Sequence, residues 1–292
     1  PDHRFASPEE LHLFLDDAHA NEQNVLLDYV ANHVHELHPV YQKHPNWATN
    51  KYTEDGRLNT QLWDEERLTP WFDTFMPTLE LRNDTVADLM SDSALVWITE
   101  YDFDGFRHDA TKHIPMNFTR LLTQKIRAAS EDHVYQIGET YGSDELIASY
   151  VGSGKVDAQF NFNLYDAAFE AFTQEGATFD RLRKALESSL TYYGHHHLMG
   201  NISGNQDKPR FSSMASGHLS TSEDSKLAGW TREIPKPTER GYRKMAAMHA
   251  FNIAVPGIPI LYYGDEIALH GGNDPDNRKM MPFDFSPRQQ QL

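Results

Sequence analysis

Short apolar runs of strand character recur along the whole chain, and each is followed by a stretch whose apolar residues return every three or four positions. Strand-like runs fall at 25–30, at the segment ending in Asp104-Gly105-Phe106-Arg107-His108-Asp109, and at 133–139, 158–162, 198–202 and 259–263. Helices are expected between them. Ser7-Pro8-Glu9-Glu10 supplies a cap, a proline in the first turn and acids at the positive end of the helix dipole. Leu11, Phe14, Leu15 and Ala18 then form a helical stripe. Val86, Leu89, Met90, Ala94, Trp97 and Ile98 form another, and a third helix is expected near 116–130. Strand followed by helix, repeated, predicts an α/β fold of parallel strands joined by crossover helices.

A doubly wound sheet and a closed (β/α)8 TIM barrel both fit this alternation. No glycine fingerprint of the dinucleotide or P-loop type follows a strand candidate, so nucleotide binding has no support. Asp28, Asp109, Glu139 and Asp207 each fall inside or just after a different strand candidate. In a barrel such strand ends converge on one mouth, which favours the barrel. The stretch of about 50 residues between Asn32 and Asn83, rich in Trp, Pro, His and charge, is too long for an ordinary loop. The expected organisation is therefore barrel at 1–33, an inserted subdomain at 34–82, and barrel again at 83–292.

Composition removes several classes of function. The net charge of −17 argues against a nucleic-acid partner, which requires a basic footprint. With no cysteine, disulfides, thiolate chemistry and Cys-ligated zinc are excluded. No apolar run approaches the roughly 18 residues of a membrane helix, so no membrane partner is expected. At 292 residues and 39% apolar content, a sizeable core is affordable. Compartment and oligomeric state stay open.

Four segments, in order, carry a family likeness. Asp28-Tyr29-Val30-Ala31-Asn32-His33 resembles the first signature of the α-amylase family of glycoside hydrolases. The second is matched by Gly105-Phe106-Arg107-His108-Asp109-Ala110-Thr111-Lys112-His113, the third by Gly138-Glu139-Thr140 and the fourth by Gly204-Asn205-Gln206-Asp207. The likeness continues through Pro256-Gly257-Ile258-Pro259, Tyr262-Tyr263-Gly264-Asp265-Glu266 and Asp274-Pro275-Asp276-Asn277-Arg278. Acetal cleavage needs a proton for the leaving oxygen and stabilisation of an oxocarbenium-like centre, both of which carboxyl groups supply. The resemblance implies Asp109 as nucleophile, Glu139 as general acid and then base, and Asp207 as the group that grips the sugar hydroxyls. It also implies a retaining outcome at α-linked glucose, with starch-type glucans or maltooligosaccharides as substrates. Arg107 lies two residues before Asp109, hence on the same strand face, where its charge keeps Asp109 ionised while Glu139 starts protonated. By the same resemblance His33 lies beside the sugar at the cleaved bond, Lys112 and His113 contact the leaving-group side, Asp274 with Arg278 the non-reducing side, and Gln206 hydrogen-bonds a sugar hydroxyl. Trp47, Trp63, Trp71 and Phe72 are either sugar-stacking rings or the core of the insertion.

Two positions depart from the pattern. Gln206 stands where the family usually has His, which keeps a hydrogen-bond donor but removes a titratable charge. Met76-Pro77-Thr78-Leu79-Glu80 stands where calcium-dependent members have Leu-Pro-Asp-Leu, so Thr78 removes a carboxylate from a hard cation. No cofactor is required for the chemistry, and a structural calcium is left to Asn32 and the His113 carbonyl. The histidines at 33, 35 and 38 and at 195–197 lack a zinc motif and are expected at strand ends or in loops. Cyclodextrin-degrading relatives also depart at the Thr78 motif, which leans the substrate toward short or cyclic maltooligosaccharides. The resemblance further implies a partial barrel, strands three to eight, without the first two strands and the C-terminal domain. Such a piece has two open edges and an exposed core and is expected to aggregate or to need a partner. Two alternatives stay open, an α-glucan transglycosylase or cyclomaltodextrinase-type enzyme and a non-catalytic carbohydrate-binding or partner-subunit barrel.

Overall fold

The computed structural model of the chain describes residues 3–292, so Pro1 and Asp2 of the expected 1–33 piece lie outside it. The described residues divide into two compact units. One runs to Gly142 and includes Leu146–Gln159; the other comprises Ser143–Glu145 and Phe160–Leu292.

The first unit is built on four parallel strands in chain order, β1 (Leu26–Tyr29), β2 (Gly105–His108), β3 (Tyr135–Gly138) and β4 (Ala158–Gln159). The register pairs Asp28 with Arg107, Tyr29 with His108, and His108 with Gly138. Gly105 permits this approach, since a Cβ there would lie 2.1 Å from the Tyr135 carbonyl oxygen. Helices α1 (Pro8–Ala20), α2 (Pro39–Lys43), α3 (Asp84–Thr99) and α4 (Met116–Ala129) belong to this unit. The cap expected at Ser7 is a full capping box with Glu10. Leu15, Val86, Phe106, Phe118 and Leu122 share one core, and Tyr29 donates from its hydroxyl to the Met90 carbonyl at 2.6 Å. The helical stripes are narrower than their spacing suggests. Leu15 and Ala18 are buried while Phe14 is exposed, and in α3 Leu89 lies on the solvent side of Val86, Met90, Ala94 and Ile98.

Between Tyr29 and α3 the chain is mostly irregular, with α2, one short 3₁₀ turn (Pro45–Trp47) and isolated bridges such as His33–Thr78 and Ala48–Leu79. After α5 (Asp144–Ser149), the second unit contains α6 (Phe162–Thr173), α7 (Asp180–Tyr193), α8 (Phe211–Ala215), α9 (Ser225–Thr231) and α10 (Glu239–Ala254). Its strands β5 (Gly200–Ile202) and β6 (Ile258–Ile260) pair in parallel, although 55 residues of chain separate Asn201 from the Pro256 carbonyl to which its amide donates. Phe162, Tyr165, Phe211, Met245 and Met248 lie in its core. The run at 158–162 is a strand only to Gln159. The Asn161 side chain accepts from the Leu164 amide and starts a helix at Phe162, cutting the strand short.

Candidate active site

The parallel register determines what meets at the strand ends. His108 and Gly138 are paired, so Asp109 and Glu139 are the next residues on two neighbouring strands. Backbone bonds extend both ladders, from the Asp109 amide to the Tyr29 carbonyl (3.1 Å) and from the Glu139 amide to the His108 carbonyl (3.0 Å). Arg107 lies on the same strand face as Asp109. Its Nη1 is 2.8 Å from Asp109 Oδ1 and 2.7 Å from Asp28 Oδ1, and its Nη2 is 2.7 Å from Glu139 Oε2. One guanidinium thus gathers three carboxylates from three neighbouring strands. Burial works against its charge, but the fields of Glu139, Asp28 and Asp109 outweigh that cost and hold its pKa above the ordinary arginine value.

The turn after Asp109 is unusual for its residue type. Ala110 has a left-handed backbone with φ of 49°, a conformation that costs a non-glycine residue. It delivers the chain into the 3₁₀ turn Thr111–His113, where the Thr111 hydroxyl donates to the His108 carbonyl and accepts from the Glu139 amide at 3.1 Å. Gly138 is needed beside that hydroxyl, since a Cβ there would stand 2.7 Å from Thr111 Oγ1 and 2.8 Å from Gln159 Nε2. His108 points away from Arg107 and Asp109, within 3.0 Å of Gln136 Oε1, and burial pushes its pKa down to about 4.

Residues of the long irregular segment pack against this turn. His33 stacks on Phe72 with ring centres 3.9 Å apart, and burial lowers its pKa despite the nearby charge of Asp109. His113 lies against Trp63 and Phe72 and donates from Nδ1 to the Arg67 carbonyl at 2.6 Å; burial pushes its pKa down to about 4. Lys112 Nζ reaches Asp64 at 2.5 Å. Trp71 is a core residue whose indole donates to the Thr49 carbonyl, while Trp63 and Phe72 remain half-buried. Asn32 is buried and donates weakly to Thr78 Oγ1, which itself donates to the Pro70 carbonyl at 2.6 Å. This set holds no carboxylate, and no cluster of three or more His, Cys, Asp or Glu able to hold a metal occurs among the described residues. It does not fit a calcium ion, which takes six to eight oxygen ligands, so no chemistry is routed through one.

In the second unit, Asp207, Gln206, Asp274 and Arg278 form a group of their own. Arg278 Nη2 is 3.2 Å from Asp207 Oδ1 and its Nε 3.0 Å from Asp274 Oδ1. Gln206 Nε2 contacts Asp207 at 3.4 Å, and the Asp207 amide donates to the Asn205 side chain at 3.0 Å. Asp207 and Arg278 are both well exposed, which leaves their polar atoms able to meet a polyhydroxylated ligand.

A family profile described as the alpha-amylase catalytic domain matches residues 2–289. The chain belongs to that family. A cyclomaltodextrinase of Geobacillus thermopakistaniensis is 29% identical over 300 residues, covering all of this chain and 46% of the relative. An intracellular maltogenic amylase of Bacillus subtilis is 25% identical, again over the whole chain and 46% of the relative. The chain thus spans about half the length of the relatives it matches. The crystal structure of an alpha-amylase from Geobacillus thermoleovorans aligns with a TM-score of 0.81 at 27% identity, over 99% of this chain and 60% of that one. The α/β fold is accordingly that of the alpha-amylase catalytic domain, a (β/α)8 TIM-barrel fold, as the strand–helix alternation and the four signatures led one to expect.

Within this alpha-amylase family domain, three participants escaped the sequence reading, and a fourth was placed without its partner. Asp28 opens the first signature, but its bond to Arg107 depends on register across 79 residues. Asp64 had no signal. Arg67, whose Nη1 donates to the Lys112 carbonyl (2.5 Å) and Tyr150 hydroxyl (2.7 Å), had none either. Arg210 follows the fourth signature by three residues, yet nothing local foretold its burial at 2% exposure.

Proposed function

We propose that the protein is a retaining glycoside hydrolase acting on α-glucosidic bonds of starch-type glucans and maltooligosaccharides. The observation that carries this reading is the shared guanidinium of Arg107, which holds Asp109 and Glu139 side by side at the ends of adjacent parallel strands. Asp109 is the nucleophile, held in place by Arg107 Nη1 at 2.8 Å. Glu139, protonated and released from Arg107 Nη2, gives its proton to the leaving oxygen as the glycosidic bond breaks and the anomeric carbon bonds to Asp109; it then takes a proton from water, whose oxygen displaces Asp109 from that carbon. Asp207 holds the sugar hydroxyls, with Gln206 and Arg278 beside it and Asp274 fixing Arg278 from behind. His33 and His113, kept neutral by burial, serve as hydrogen-bonding walls near the cleaved bond. Lys112 contacts the leaving-group side after exchanging Asp64 for a sugar hydroxyl.

In this reading the six strands are the third to eighth of the barrel, and the segment 34–82 is the inserted subdomain. Short or cyclic maltooligosaccharides are the favoured substrates, supported by Thr78 and by relatives that are a cyclomaltodextrinase and a maltogenic amylase. The test is to incubate the full-length protein with maltoheptaose, β-cyclodextrin and sucrose and to follow products by NMR. Initial α-anomeric products from the first two substrates are expected. Initial β-anomers would overturn retention, and turnover of sucrose alone would overturn the substrate class.

A further inference from the structure

Arg210 and Asp265 form an ion pair at 3.0 Å with both side chains all but sealed from solvent. Desolvating two charges is expensive, and the Coulomb energy returns that cost only when every remaining hydrogen-bonding site is filled. Here it is not filled, because Arg210 Nη2 has no hydrogen bond among the described residues. A pair of apolar side chains would pack the site at lower cost, so stability alone does not explain the arrangement.

What the pair does secure is position. The Ser203 hydroxyl donates to Asp265 Oδ2 at 2.5 Å, which fixes the carboxylate against the end of β5. Arg210 Nη1 is taken up by Asp265 and by the Tyr263 carbonyl (2.6 Å), and the rings of Tyr262 and Tyr263 flank the guanidinium at 4.2 and 4.8 Å. Arg210 Nε is left to donate to the Asn277 carbonyl at 2.9 Å. Asn277 is itself fully buried, and its Nδ2 donates to the carbonyls of Gln206 and Lys208, each at 2.8 Å. Those carbonyls lie on either side of Asp207. The residue after Asn277 is Arg278, which reaches Asp207 Oδ1 and, through Nε, the Gln206 carbonyl at 3.2 Å.

We infer that Asp265, Arg210 and Asn277 are a buried positioning unit that holds the backbone on both sides of Asp207 and presents Asp207 and Arg278 to the sugar as one preset pair. The inference rests on the proposed role of Asp207 and extends it to residues that touch no substrate. Their effect on turnover runs through Asp207 and Arg278, which makes it separable from general destabilisation by a double-mutant cycle.

The experiment measures kcat/KM of the full-length protein on maltoheptaose for Asn277→Ala, Arg278→Ala and the double variant, with thermal unfolding as a folding control. Asn277→Ala is expected to lose about 10- to 100-fold in kcat/KM, shrinking to less than about 3-fold once Arg278 is Ala. Equal losses in both backgrounds would mean a merely structural role and overturn the inference. Arg210→Lys keeps the charge facing Asp265 but gives up the Nε bond to Asn277, so it provides the same cycle if Asn277→Ala does not fold. It is expected to lose about 10-fold, again absorbed by Arg278→Ala. Wild-type turnover by Asp207→Asn would instead remove the role assigned to Asp207, and the inference with it.

Discussion

Arg107 Nη2 lies 2.7 Å from Glu139 Oε2, so the residue assigned as the proton donor is tied to the same guanidinium that holds the nucleophile. Removing that cation leaves Asp109 and Glu139 facing each other with little solvent to screen them. Arg107→Met is therefore expected to lower kcat/KM by at least about 1,000-fold, and to destabilise the fold by about 3–5 kcal/mol. Steady-state kinetics and urea unfolding check both parts. Arg107→Lys should recover part of the stability but little activity, because an ammonium does not span the two carboxylates as the planar fork does.

Acid catalysis by Glu139 gives a leaving-group dependence. Glu139→Gln should lower turnover of maltoheptaose by about 100- to 10,000-fold. An α-glucosyl fluoride, whose leaving group needs far less protonation, should form the glycosyl intermediate much closer to the wild-type rate. Burst kinetics on the fluoride separate that first step from the second. Equal losses on both substrates would remove Glu139 from the acid role.

Burial of His108 ties stability to pH. Its folded pKa of about 4 lies below the ordinary histidine value of about 6.5, so between these values the unfolded chain binds more protons. The contribution is complete above about pH 6.5 and is lost as pH falls toward 4, amounting to about 3 kcal/mol over that window. Asp265 acts with the opposite sign. Burial raises its pKa from 3.8 to about 6, so its contribution falls as pH rises through that interval. His108→Gln should therefore flatten the acid side of the stability profile, while Asp265→Asn should steepen it. Unfolding midpoints measured from pH 4 to 7 distinguish the two.

Gly138→Ala tests the packing behind Glu139. The added methyl would stand 2.7 Å from Thr111 Oγ1 and 2.8 Å from Gln159 Nε2, so the strand end or the turn after Asp109 must shift. A destabilisation of about 1–3 kcal/mol is expected. Because Glu139 is the next residue, kcat should fall together with the melting temperature. Thermal unfolding and kinetics on one preparation measure both.

The donor set around Asn32 and Thr78 predicts indifference to chelation at that position. Wild type treated with EDTA should keep its melting temperature within about 1 °C, as expected when no cation binds the native state there. Thr78→Asp restores one carboxylate, and calcium should then raise the melting temperature measurably. A large loss of stability by the wild type on chelation would contradict the reading of this site.

The sequence by itself determined the strand–helix alternation, the helix cap at Ser7, and the placement of Asp28, Asp109 and Glu139 within or just beyond strand runs. These are properties of neighbours in the chain, written in periodicities of two and 3.6 residues and in capping chemistry. It also placed Arg107 and Asp109 on one strand face, because two residues apart along a strand means the same side. Only the tertiary structure decided that Asp28 and Glu139 share that guanidinium, since parallel register joins residues far apart in sequence. It alone seated Lys112 on Asp64, sealed Arg210 against Asp265, and stopped the fourth strand at Gln159 where Asn161 caps a helix. Burial and partner choice are set by what the rest of the chain brings alongside, and no local pattern carries that information.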